Sequence, residues 1–292
     1  MMLMLALATV VSALFYLLVR LDETQRMSPD GAFYVAVAKG EPTPRPYCFR
    51  WLWPLACNKR IMAWQIMSAV SLIAWGPLVA WFARIHGLSG VQCVAAAALL
   101  CGLPGFFRVN VLLPVLVDPP AFALALLSAC LTLEGHPAWG VAAALLCGAS
   151  KEAGPIFAAA FCLSPWPLLG LLAAGWWRKA GLIPPGTPWL ARPVAEALRV
   201  HRGHWLGWAD MVLPWGAIPV MLFFCQPAPA LVAGVVLSLA LGYGQMLRSQ
   251  DRARLFGWAA PPLIVLALTG IAGAPALALA CVAHLYNPCR GI

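Results

Sequence analysis

The chain has 292 residues, 62% of them hydrophobic and only 10% charged, with a mean hydropathy of +0.83. A water-soluble domain cannot hide that much apolar surface, because accessible area does not shrink fast enough with size. This excludes a soluble enzyme or a nucleic-acid-binding module. It predicts an all-α, polytopic transmembrane bundle, one integral membrane domain over 1–292 with no separate soluble domain. The net charge of +9 points to anionic partners, either membrane lipid headgroups or phosphate groups on a substrate, and not to nucleic acid.

Residues 2–20 form the first apolar run. They begin Met-Met-Leu-Met with neither a basic leader nor a small-residue cleavage site, so the reading is a retained span, not a removed signal peptide. Residues 21–60 follow as the first extramembrane loop. Here Gly31–Ala38 and Tyr47–Ala56 read as two short amphipathic helices at the interface, parted by Pro42, Pro44 and Pro46, with Trp51 and Trp53 as aromatic anchors. The remaining candidate spans are 61–84, 89–107, 119–133, 137–150, 152–163, 166–177, 205–225, 228–247, 257–273 and 274–287. Between 152–163 and 166–177, the stretch Ser164-Pro165-Trp166-Pro167 makes either a tight hairpin or a kink in one helix, so the expected count is ten or eleven. With the hairpin, the charged segments 21–60, 108–118, 151–152, 178–204 and 248–254 share one face of the membrane.

Ionisable groups near membrane depth cost roughly 2.5–3.5 kcal/mol each and usually mark function. Asp30 lies one helical turn before Tyr34 and reads either as the cap of its short helix or as a general base. Asp118, followed by Pro119 and Pro120, reads either as a helix N-cap or as a carboxylate facing a cavity. Lys151 and Glu152 interrupt an apolar stretch. Adjacent residues on a helix do not face each other, so the two are expected to reach separate partners. In Arg248–Arg254, Asp251 caps the following helix and Arg254 lies near a turn on, suited either to phosphate or to plain snorkelling.

Seven of the ten cysteines fall inside apolar runs and read as small hydrophobes. Cys48 and Cys57 share the first loop; they pair if the loop is oxidised and irregular, and stand too far apart if the segment between them is helical. His201 and His204 have no carboxylate or cysteine cluster nearby, which leaves no clear metal motif and the cofactor requirement open.

Taken in order, these residues resemble the GT-C superfamily of integral membrane glycosyltransferases. The likeness runs along nearly the whole chain: Asp30-Gly31-x-x-Tyr34 in the first loop; the Tyr47–Leu55 stretch with Arg50; Val117-Asp118-Pro119 before a Leu/Ala-rich span; Ser150-Lys151-Glu152; and Asp251-x-x-Arg254 before a span containing Pro261. The resemblance implies a GT-C-like bundle moving a sugar from a polyprenyl-phosphate carrier to a lipid, glycan or protein acceptor with inversion. Its site would lie under the first loop, on the non-cytoplasmic face of a bacterial plasma membrane. Asp30 would be the general base; Lys151, Arg254 and Arg50 would hold the departing phosphate; Asp118 and Glu152 would orient sugar or acceptor; Tyr34 and Asp251 complete the motifs. A divalent cation is compatible with this chemistry. The chain has one acid in the loop motif, where many relatives carry two, which implies either a minimal enzyme or one that works with a partner subunit. The rival readings are a transporter or flippase, which would place charges near mid-membrane on discontinuous helices, and a non-catalytic assembly subunit.

Overall fold

The computed structural model describes residues 1–22, 24–43, 47–58, 60–174, 215–226, 228–246, 257–271, 273, 277–278 and 281–282. The described residues are all-helical, with no strand among them. The elements are α1 Met2–Asp22, α2 Pro29–Ala38, a 3₁₀ turn Tyr47–Phe49, α3 Leu52–Cys57, α4 Ile61–Ile85 and α5 Gly90–Cys101. A π turn Pro104–Arg108 leads into α6 Val109–Leu112, then α7 Asp118–Leu133, α8 Pro137–Ser150, α9 Gly154–Cys162 and a 3₁₀ helix Trp166–Ala173. Last come α10 Ile218–Met221 with a 3₁₀ turn Leu222–Phe224, α11 Pro229–Met246 and α12 Ala260–Leu268.

Two helices, α1 and α4, are long and apolar enough to cross a membrane, and α5 with Phe106–Leu112 makes a third if that pair, bent by 63°, counts as one span. Ten or eleven crossings do not follow from these lengths. A helix such as α7, with 16 residues, is about 24 Å long, short of a hydrocarbon layer of about 30 Å. Glycine and proline at the ends of the apolar runs cut the helices shorter than hydropathy suggests.

The chain divides into two compact units, Met1–Phe15 with Ala74–Val109 and Ala191–Ile292, and Tyr16–Ile73 with Asn110–Leu190. In the first unit, α1 and α4 meet almost backbone to backbone: a side chain at Gly76 would strike the Ala8 carbonyl and the Ser12 side chain. Trp75 then stacks on Phe106 with ring centroids 4.7 Å apart and meets Phe107 edge-on. Ser89 and Gln92 form a capping box that starts α5. The Gln92 amide also donates to the carbonyls of Leu268, at 2.8 Å, and Ile271, at 3.0 Å, tying the start of α5 to the end of α12 and the turn that follows it.

The second unit is built on close packing of small residues. Gly140, Ala144 and Gly148 recur every four residues along α8, the spacing that lets apolar helices approach closely. Gly140 abuts Thr132 and the Ser128 carbonyl of α7, while Gly148 touches the backbone of Gly170 in the following 3₁₀ helix. The hydroxyl of Ser128 donates to the Gly140 carbonyl at 2.7 Å, and the Cys147 thiol donates to the Ala121 carbonyl at 3.1 Å.

The described part of the 151–177 stretch, through Ala174, turns back as a hairpin and is not a kinked helix: Leu163 takes a left-handed conformation, φ 50°, and Gly170 folds back beside Pro155. The helix expected from residue 152 begins at Gly154, so Lys151 and Glu152 both stand outside regular helix. The second loop helix, expected over Tyr47–Ala56, is instead two pieces broken at Arg50 and Trp51. The Trp51 amide donates to the Ala149 carbonyl at 3.2 Å instead of within its own helix. Both loop tryptophans are tied inward: the Trp51 indole N–H donates to the Ala173 carbonyl at 3.1 Å and that of Trp53 to the Ser150 hydroxyl at 2.7 Å. Cys48 and Cys57 are both buried and are not joined to each other by a disulfide.

Candidate functional site

Two short elements of the first loop each present two polar residues on one side. In α2, Asp30 and Tyr34 are four apart and share a helix face. Ser28, not Asp30, caps this helix, accepting the Gly31 amide at 2.9 Å, so the Asp30 carboxylate is released from capping. In the 3₁₀ turn, residues three apart eclipse, which aligns Tyr47 with Arg50; the Arg50 amide donates to the Tyr47 carbonyl at 3.0 Å. The two elements then interlock. The Tyr47 hydroxyl donates to Asp30 Oδ1 at 2.6 Å, and Arg50 Nη1 donates to the Tyr34 hydroxyl at 2.9 Å. Tyr47 stacks on Phe33 with centroids 4.6 Å apart, and the Arg50 guanidinium carbon lies 5.5 Å from the Tyr47 ring centre.

Beneath them lies an apolar floor of Tyr34, Cys57, Trp64, Met67 and Val115–Val117. The remaining charges come from the segments flanking α7 and α9. Arg50 grips Glu152 with a two-pronged contact, Nε to Oε2 at 3.0 Å and Nη2 to Oε1 at 2.8 Å. Lys151 Nζ donates to Asp118 Oδ1. Asp118 therefore begins α7 as an ion-pair partner. The N-cap position falls to Val117, and no side chain makes the cap hydrogen bond. The Lys151–Asp118 side chains are only 4% and 1% exposed; those of Arg50 and Glu152 are 10% and 19% exposed.

These groups act on one another electrostatically. Burial pushes the Tyr34 phenol above its ordinary range; Arg50 opposes that shift, while Asp118 and Asp30 add to it. Burial also raises the Tyr47 phenol, reinforced by its hydrogen bond to Asp30. Both rings stay protonated at neutral pH, so Tyr47 keeps its proton for Asp30. For Glu152, burial alone would favour the neutral acid, but Arg50, a backbone hydrogen bond from its own residue and Lys151 together outweigh it, and the carboxyl falls below its usual range. Burial works against the charged guanidinium of Arg50, yet Glu152, Tyr34 and Asp118 together more than offset it.

Of the residues singled out from the sequence, Asp30, Tyr34, Arg50, Asp118, Lys151 and Glu152 thus come together in one network within one unit. Asp251 and Arg254 lie outside the described residues, as do His201, His204 and the segment 178–204. Tyr47 was missed as a site residue. The signal for it was present in its three-residue spacing from Arg50 inside the same aromatic stretch. Among the described residues, no group of three or more His, Cys, Asp and Glu side chains is placed to hold a metal ion, so the cluster offers a divalent cation no ready donor set. Compared with family models, curated proteins and solved structures, the chain matches none.

Proposed function

We propose that the chain is a multi-pass membrane glycosyltransferase that moves a sugar from a polyprenyl-phosphate carrier to an acceptor hydroxyl with inversion. The observation that carries this reading is the pair of hydrogen-bonded sets Tyr47–Asp30 and Tyr34–Arg50–Glu152, joined where Arg50 lies over the Tyr47 ring, with Lys151–Asp118 coupled to them electrostatically, built at the first loop. In this reading Asp30 takes the proton from the acceptor hydroxyl as that oxygen attacks the anomeric carbon. The bond from that carbon to the phosphate oxygen breaks, and the phosphate leaves with the electron pair. Tyr47 orients Asp30 by donating to its Oδ1. Asp30 is only partly buried, which suits a group that must meet a substrate. Fixed positive charge facing the departing phosphate is the usual large electrostatic contribution to such catalysis, and Arg50, Lys151 and Arg254 are the residues proposed to supply it. Asp118, Glu152, Tyr34 and Asp251 shape the sugar and acceptor side.

The test is sugar transfer by the full chain reconstituted in liposomes, using a panel of radiolabelled polyprenyl-phosphate sugars. Asp30→Asn is expected to lower the rate about 10²–10⁴-fold with an unchanged unfolding midpoint. Near-normal transfer by this variant would remove the base assignment. A second reading draws on a specific observation, the internal pairing of Arg50 and Lys151 with acids: the same network serves as a polar staple in a non-catalytic assembly subunit. Such a protein would transfer no sugar with any donor.

A further inference from the structure

The described cluster has three acids, Asp30, Asp118 and Glu152, against two bases, Arg50 and Lys151, a net formal charge of −1. An anionic substrate entering it meets cations that are already engaged. The two engagements differ. Lys151–Asp118 is sealed, at 4% and 1% side-chain exposure. Arg50–Glu152 is closer to solvent, and Glu152 is its more exposed member at 19%. Glu152 also sits between α8 and α9 on non-helical backbone, where it can move without breaking a helical hydrogen-bond ladder. Its two-pronged contact with Arg50 has the geometry that guanidinium offers equally to carboxylate and to phosphate.

We propose that Glu152 is a displaceable internal anion that occupies the phosphate seat of Arg50, and that a phosphate group binds by exchanging with it. The carboxylate swings toward solvent and is rehydrated. A phosphate oxygen pair takes over Nε and Nη2 of Arg50, and Nη1 keeps its bond to the Tyr34 hydroxyl, so the guanidinium is never left buried and unpaired. Lys151, whose charge already reaches the Glu152 carboxyl, then stands near the incoming phosphate. The exchange sets a threshold: a group must outcompete a carboxylate that is tethered in place, which the singly charged diester of the intact sugar donor does less readily than the doubly charged monoester left once the sugar has gone, so the seat holds the departing phosphate more tightly than the donor. The proposal rests on the reading of this cluster as a phosphate-handling site, and its test reads phosphate binding without requiring sugar transfer.

The experiment is calorimetric titration of the full chain in detergent micelles with three probes: inorganic phosphate, a polyprenyl monophosphate and phosphatidylglycerol. Glu152→Gln, which keeps the shape but loses the charge, is expected to bind the monophosphates about tenfold more tightly than wild type, a change worth about 1.4 kcal/mol. Adding Arg50→Gln to Glu152→Gln is expected to abolish the gain. A gain for both monophosphates supports recognition of the phosphate group itself; a gain for the polyprenyl monophosphate alone supports a lipid-borne phosphate. Unchanged affinity in Glu152→Gln, a gain that survives loss of Arg50, or a gain for phosphatidylglycerol alone overturns the exchange. If Glu152→Gln does not fold, Glu152→Asp, too short to keep both prongs, is measured in its place and must bind monophosphate more tightly than wild type. A phosphate gain without any sugar transfer would leave the exchange standing while removing the transferase reading. Transfer without the phosphate gain would do the reverse.

Discussion

Lys151 and Glu152 are neighbours in the chain, yet they end in different surroundings. Lys151 turns toward the start of α7 and is sealed with Asp118; Glu152 turns toward the first loop and meets Arg50 nearer solvent. The sealed pair ties α7 to the α8–α9 junction. The more open pair ties the loop to the same junction, through a contact that solvent can reach. The difference teaches that a dipeptide of opposite charges in an apolar stretch is not a neutral pair but a branch point. One arm stabilises the unit, and the other remains available for exchange.

The largest expected effect breaks the sealed arm. Lys151→Met leaves the Asp118 carboxylate buried without its cation and should cost about 3–5 kcal/mol, read as a loss in unfolding midpoint in mixed micelles. The double variant Lys151→Met with Asp118→Leu should recover most of that loss, because a well-packed apolar pair often replaces a buried ion pair at little cost. At the open arm, Tyr47→Phe removes a hydrogen bond to a carboxylate. It should cost about 1.5 kcal/mol, less than the sealed arm because Asp30 keeps access to water. Trp53→Phe, which frees the Ser150 hydroxyl of one partner, should cost about 1 kcal/mol.

The finest comparison is with pH. The folded carboxyl of Glu152 is held below its unfolded value by Arg50, so its contribution is fully present above about pH 4.3, the ordinary value for glutamate. It is lost only as pH falls through the lower folded value. The difference in unfolding midpoint between wild type and Glu152→Gln should therefore stay flat from neutral pH to about pH 5 and shrink below it. A difference that shrinks already near pH 6 would mean that Arg50 does not hold the carboxylate.

Much of this was legible in the chain. The all-helical character followed from hydropathy, and the separate partners of Lys151 and Glu152 followed from the rule that adjacent helix positions do not face each other, although neither residue proved to be in helix. Asp30 and Tyr34 followed from their one-turn spacing. What could not be read was which polar group takes each local duty. Ser28 and Asp30 compete for one cap, and only the backbone at Ser28, extended with ψ 156°, decides in favour of serine. Asp118 reads from sequence either as a cap or as a carboxylate facing a cavity, and only the approach of Lys151 over 33 residues of sequence shows it to be an ion-pair partner. The turn at Leu163 was open for a similar reason: a leucine at positive φ carries no local signal, unlike glycine. Helix ends were not legible because hydropathy counts apolar residues and ignores where Gly102, Pro104 and Gly154 end or start a helix.

The most direct test of the account is a structure of the full chain with a polyprenyl-phosphate sugar bound in a lipid nanodisc. The account predicts the phosphate within hydrogen-bond reach of Arg50, about 3 Å, with Glu152 swung away and the anomeric carbon turned toward Asp30. A phosphate seated elsewhere, with the Arg50–Glu152 contact intact and Asp30 facing no sugar, would contradict it.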